Sequence, residues 1–100
     1  MPYIKNETRP QFDNEIETLV AKARANNNQD GDGNYIISRI VAGIFKPDGG
    51  WRYFAIARAV GCFVCAMLEF YLRVARPYED KAIHSNGDIP EYQTDKERVM

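Results

Sequence analysis

Apolar residues recur along this chain at steps of three and four, the period of a helix with one greasy face. Phe12, Ile16, Leu19, Val20 and Ala23 form the first such stripe. It predicts a helix that opens at Thr8-Arg9-Pro10-Gln11 and ends near Ala25. Thr8 and Gln11 have the spacing of a capping box, in which each side chain satisfies a backbone amide of the first turn. Pro10 suits that turn because its missing N–H has no intrahelical partner there. Residues 1–7 read as extended, with Tyr3 and Ile4 as docking side chains. The run Asn26 to Gly33 (NNNQDGDG) reads as a loop, since Asn and Asp compete for backbone hydrogen bonds and glycine permits positive φ.

A second stripe, Ile36, Ile37, Ile40, Val41 and Ile44, predicts a helix from about Asn34 to Phe45. Lys46-Pro47-Asp48-Gly49-Gly50 then turns the chain. The third helix is expected from about Trp51 to Arg76, where Pro77 interrupts it. A shorter helix, Tyr78 to Ser85, follows the kink and stops at Asn86-Gly87, a pair suited to a left-handed cap. The expected fold is all-α: a small bundle, orthogonal or up-down, of three main helices plus a short C-terminal helix after the proline kink. One domain covers 1–88, and 89–100 is expected to be a mobile tail.

The third helix differs from the first two. At about 100° per residue, Arg58, Cys62, Cys65, Glu69, Arg73 and Arg76 share one narrow polar stripe. The rest is mostly apolar, over an arc of about 200°, where a monomer's surface helix shows somewhat over 100°. Two short amphipathic helices cover about half of that. The remainder calls for another surface, and a second copy is the simplest. The expected interface is Ile56, Val60, Phe63, Val64, Met67, Phe70, Tyr71 and Val74. A homo-oligomer, dimer first, is therefore expected, with a single other protein partner as an alternative.

Composition narrows the remaining classes. The chain has 100 residues, 45% hydrophobic and 27% charged, with a net charge of −1. That balance is globular and argues against a general nucleic-acid or membrane-surface binder. The most apolar uninterrupted run, Ala59 to Leu68, is shorter than the roughly 20 residues of a spanning helix. No membrane association is expected, and the compartment is expected to be a reducing cytoplasm. Cys62-x-x-Cys65 lies inside a helix, away from the N-terminal position of redox pairs. Zinc would need two more ligands beside the one histidine, His84. Small buried thiols are the expected role. Asp30-x-Asp32-x-Asn34 starts like a calcium loop, but Tyr35 stands where glycine belongs and Val41 where the bidentate carboxylate belongs. No catalytic residue, metal or cofactor is expected. His84 is expected to lie in the last turn of the short helix as a cap contact.

The polar residues at the end of the third helix are the sharper constellation. Glu69 and Arg73 have the spacing of a helical ion pair. Arg73, Arg76, Tyr78, Glu79, Asp80 and Lys81 crowd the proline and form a candidate phosphate or metal–phosphate site. The same residues could instead be a hydrogen-bonded knot that fixes the bend. Arg39 and Arg58 are further candidates for that region.

Met1-Pro2-Tyr3-Ile4-Lys5, Asn34-Tyr35-Ile36-Ile37-Ser38-Arg39 and the run Leu68 to Ile83 through Pro77-Tyr78-Glu79-Asp80, ending in Asn86-Gly87-Asp88, carry a resemblance. They resemble a family of short uncharacterised proteins from bacteria, archaea and tailed phages, with no known activity. The likeness covers most of residues 1–88. It implies that the Pro77–Asp80 block is a family feature. Three functions compete on the residues. The first is a small oligomeric interaction or structural protein. The second is an all-α enzyme resembling divergent nucleoside-triphosphate pyrophosphohydrolases, whose E-E-x-x-E and E-x-x-D carboxylates hold magnesium. Here Glu15 and Glu17 lie two apart on different helix faces, and Glu69 has no acidic residue at i+3. The third is a phage-encoded modulator that binds a host protein.

Overall fold

The computed structural model describes residues 4–93, so the expectations for Tyr3 and for the end of the tail, residues 94–100, lie outside it. The described residues form four helices: α1 (Pro10–Ala25), α2 (Gln29–Phe45), α3 (Tyr53–Phe70) and α4 (Arg76–Asn86), with a π-helical segment at Tyr71–Ala75. Short 3-10 turns stand at Asn6–Thr8 and Pro90–Tyr92. No described residue is in a strand, and the fold is all-α and small. The chain divides into two compact units, residues 1–66 and 67–100.

In the first unit, α1 begins at Pro10 and ends at Ala25 as the stripe predicts. The capping box is not formed. A 3-10 turn precedes the helix and places the cap residue, Arg9, in helical dihedrals. The Thr8 hydroxyl therefore donates to the Lys5 carbonyl at 2.8 Å, and Gln11 Nε2 donates to the Thr8 carbonyl at 3.0 Å. The turn also replaces the extended backbone expected over residues 6–7.

The loop expected over 26–33 is mostly helix. α2 starts at Gln29, five residues earlier than the expected start at Asn34. Asp30 and Asp32 fall in the first turn, where carboxylates are favoured by the positive end of the helix. Asn26 Nδ2 donates to Asp32 Oδ2 at 3.1 Å, which ties the connection to that turn. α1 and α2 pack on one another across this short link. After Phe45 the chain turns through Gly49 and Gly50, whose φ values of 86° and 116° are open to glycine but strained for other residues.

Among the described residues only Val41, Ala55 and Ala59 are buried. Ala55 and Ala59 are one turn apart on α3, so the small side of that helix is turned inward. The Arg58 guanidinium lies 5.4 Å from the centre of the Phe45 ring, joining α3 to the end of α2 through a cation–π contact.

In the second unit, the interruption expected at Pro77 takes the form of a π segment ahead of the proline. Arg76 N–H bonds the Tyr71 carbonyl, five residues back. Widening the ladder there accommodates a ring that would crowd the preceding turn and a residue with no N–H to give. Pro77 then sits in the first turn of α4, where proline is tolerated. α4 runs two residues earlier and one later than expected. At its end Gly87 donates to the Ile83 carbonyl at 2.8 Å. Gly87 has φ 87° and ψ 156°, a region open essentially to glycine alone, in place of the left-handed helical cap expected.

Candidate functional site

The eight residues expected at an interface are all exposed. In the first unit these are Ile56 (46%), Val60 (53%), Phe63 (40%) and Val64 (42%). In the second they are Met67 (61%), Phe70 (63%), Tyr71 (40%) and Val74 (52%). Single exposed apolar residues are ordinary, but runs at helical spacing are not. At about 100° per residue, Ile56, Val60, Phe63 and Val64 lie on a side of α3 roughly 100° round from Ala55 and Ala59. The chain thus turns the small side of α3 inward and leaves the bulky side outward.

Cys62 and Cys65 are free thiols, and both are exposed, which corrects the expectation of burial. They lie on the polar stripe of α3 that also carries Arg58. The helix is also longer than the run Ala59–Leu68 suggested. The helical stretch Tyr53–Asn86 spans 34 residues and includes an 18-residue window of mean hydropathy 1.7, only 11% of it buried. By length and composition alone it could cross a membrane. Arg58 and Glu69, the charges that bound the run Ala59–Leu68, both lie within this longer stretch.

The polar constellation of the second unit closes on itself in pairs. Arg73 Nε forms an ion pair with Glu69 one turn back. Arg76 meets Asp80 at 3.1 Å one turn on. The Tyr71 hydroxyl donates to Glu79 Oε1 at 3.1 Å. The Arg76 guanidinium is held above its ordinary pKa, first by the Tyr71 side chain and next by the Asp80 carboxylate. Tyr78 and Lys81 are exposed, and His84 lies in the last turn of α4. The network joins the π segment to the first turns of α4, so it spans the proline. Tyr71 belongs to this network as well as to the apolar set, a double role that spacing did not reveal.

Arg39 and Arg58 are occupied within the first unit. Arg39 donates to the Tyr35 hydroxyl at 2.8 Å and lies over its ring, and Arg58 lies on Phe45. Asp30, Asp32 and Asn34 stand on a helix, a geometry that cannot wrap a calcium ion as a loop does. No group of three or more His, Cys, Asp or Glu side chains converges among the described residues.

One feature of the first unit escaped the sequence reading. Ile16, Leu19, Val20, Ala23, Ile36 and Ile40 line an open cleft of about 310 Å³ between α1 and α2, together with Gly33, Arg24 and Gln29. The available signal was a pair of small residues, Ala23 and Gly33, within otherwise bulky stripes.

Fold and surface together define a small all-α protein whose bulky apolar residues lie outside and whose terminal charges answer one another. The chain belongs to the family described as a domain of unknown function (DUF6899), whose family model matches residues 1–89. No curated protein and no solved structure matches it.

Proposed function

We propose that this chain is a small self-associating protein, a dimer first, that covers the outer apolar side of its long helix with a second copy. The supporting observation is that eight large apolar residues of that helix stand 40–63% exposed. A large apolar side chain fully open presents about 150–250 Å². At half exposure the eight present roughly 800 Å², the per-partner area of a standard stable interface. Covering each is worth on the order of 1 kcal/mol, before the cost of association. The polar residues from Arg73 to Lys81 serve on this reading to fix the helix across Pro77. Arg73 and Arg76 are each matched by a carboxylate of the same chain, which disfavours a phosphate cradle. The role is that of an assembly or interaction protein in an aqueous, reducing compartment.

The length and hydropathy of Tyr53–Asn86 support a second reading, insertion in a bilayer. Against it stand Arg58 and Glu69 within the apolar stretch. A charged residue near a helix centre costs about 2.5–3.5 kcal/mol on insertion scales. Light scattering on the chain purified without detergent separates the two. Self-association gives a soluble species at twice 11.5 kDa or a higher multiple. A soluble species at 11.5 kDa overturns that reading, and recovery only in a detergent-extracted membrane fraction favours the second.

A further inference from the structure

The cleft between α1 and α2 and the outer side of α3 are two uncovered apolar surfaces of one unit. We propose that the cleft seats α3 of a second copy, each chain lending its helix to the other. This inference rests on the self-association reading and specifies its geometry.

Three observations carry it. First, the surfaces match in chemistry and in relief. The cleft has Ile16, Leu19, Val20, Ile36 and Ile40 as walls, with small residues at Ala23 and Gly33. A Cβ added at Gly33 would meet nothing within 4 Å, so there is room beside it for a bulky side chain. On α3 the outward side carries Ile56, Val60, Phe63 and Val64, bulky groups suited to such a recess. Second, α3 can make both contacts at once. Its small side, Ala55 and Ala59, is buried within its own chain, and the bulky side points elsewhere.

Third, the areas favour exchange over a simple pairing of α3 with α3. Pairing Ile56, Val60, Phe63 and Val64 with those of a second α3 would cover roughly 400 Å² on each copy and leave both clefts wet. Reciprocal docking covers the helix and the cleft of both chains by one two-fold operation, roughly 1,600 Å² in all, the size of a standard stable interface. Arg24 and Gln29, the polar residues among those lining the cleft, supply the polar contacts that such an interface carries.

The test is disulfide trapping between copies. Cys62 and Cys65 are first replaced by serine. One chain then carries Ile40→Cys in the cleft, and a second chain, longer by a tag, carries Val60→Cys on α3. The two are unfolded together, refolded and mildly oxidised. The expected product is the mixed disulfide, above the statistical ratio. Val20→Cys with Val64→Cys repeats the measurement should the first pair fail to refold, with helical content by circular dichroism as the check.

In parallel, Gly33→Leu in the otherwise natural chain fills the recess and is expected to raise the dimer Kd about tenfold or more. A dimer that yields only the Val60→Cys homodisulfide, or no disulfide from either pair, overturns the cleft as the seat and leaves self-association standing. A natural chain that is monomeric throughout overturns both.

Discussion

The Tyr71 hydroxyl donates to the Glu79 carboxylate at 3.1 Å, across two turns of helix and over the proline between them. Tyr71 opens the π segment and Glu79 lies in the first turn of α4. The bond therefore closes over the stretch where Pro77 removes a rung from the backbone ladder. Tyr71→Phe keeps the ring and deletes the donor. The expected loss is about 0.5–1 kcal/mol, read as a lower thermal midpoint with faster amide exchange over residues 76–81. Unchanged exchange there would mean that the bond does not pin the segment.

Arg76 supplies a second link in this network, and its pH dependence has a definite sign. Its folded pKa is raised, so its contribution is complete below the ordinary guanidinium value and fades only as pH climbs through a still higher one. The stability difference between the natural chain and Arg76→Gln is expected to stay constant from neutral pH to about pH 9, well under the guanidinium range. Because Arg76 is exposed, added salt is expected to shrink that difference. A difference that falls steadily between those pH values would show that another group controls it.

Met67 distinguishes a lone chain from an assembly. It is 61% exposed within one chain, where Met67→Lys would change stability by no more than about 0.5 kcal/mol. Against a partner the same ammonium is desolvated, at a cost of several kcal/mol. The expected outcome is a dissociated or unfolded variant by light scattering and circular dichroism. A folded, fully associated Met67→Lys protein would exclude Met67 from the interface.

Two glycines are expected to respond oppositely to alanine. Gly61 lies inside α3 with open space where a Cβ would go, about 60° round the helix from Val64. Gly61→Ala is expected to stabilise by about 1 kcal/mol through helix propensity. Gly87 sits at φ 87° and ψ 156°, and Gly87→Ala is expected to cost about 1–3 kcal/mol and to fray the end of α4. Denaturant midpoints of the two variants check both signs, and a Gly61→Ala loss would place that side of α3 in a contact too.

The helices were legible where apolar period decides and less so where backbone accommodation decides. Phe12 to Ala23 marked α1 to its last residue, and the all-α class followed from three such stripes. The start of α2 was not legible, because Asn, Asp and Gly mark a loop in isolation. At a helix N-terminus the same Asp30 and Asp32 are favoured by the unpaired amides they face. Thr8 and Gln11 had the spacing of a cap, yet a 3-10 turn re-aimed both side chains. Pro77 announced an interruption, but whether it bends a helix or widens one depends on how Tyr71 to Ala75 rearrange their carbonyls. The ion pair of Glu69 with Arg73 follows from spacing alone. The bond from Tyr71 to Glu79 does not, since it needs the register of the π segment.

Self-association requires that one chain alone cannot shield the outer side of its long helix. Urea unfolding followed at protein concentrations spanning about 100-fold tests this directly, because linked folding and association make stability depend on concentration. The expected result is a midpoint that climbs with concentration and fits two chains unfolding together. A midpoint that stays fixed while the species sediments at 11.5 kDa would contradict it.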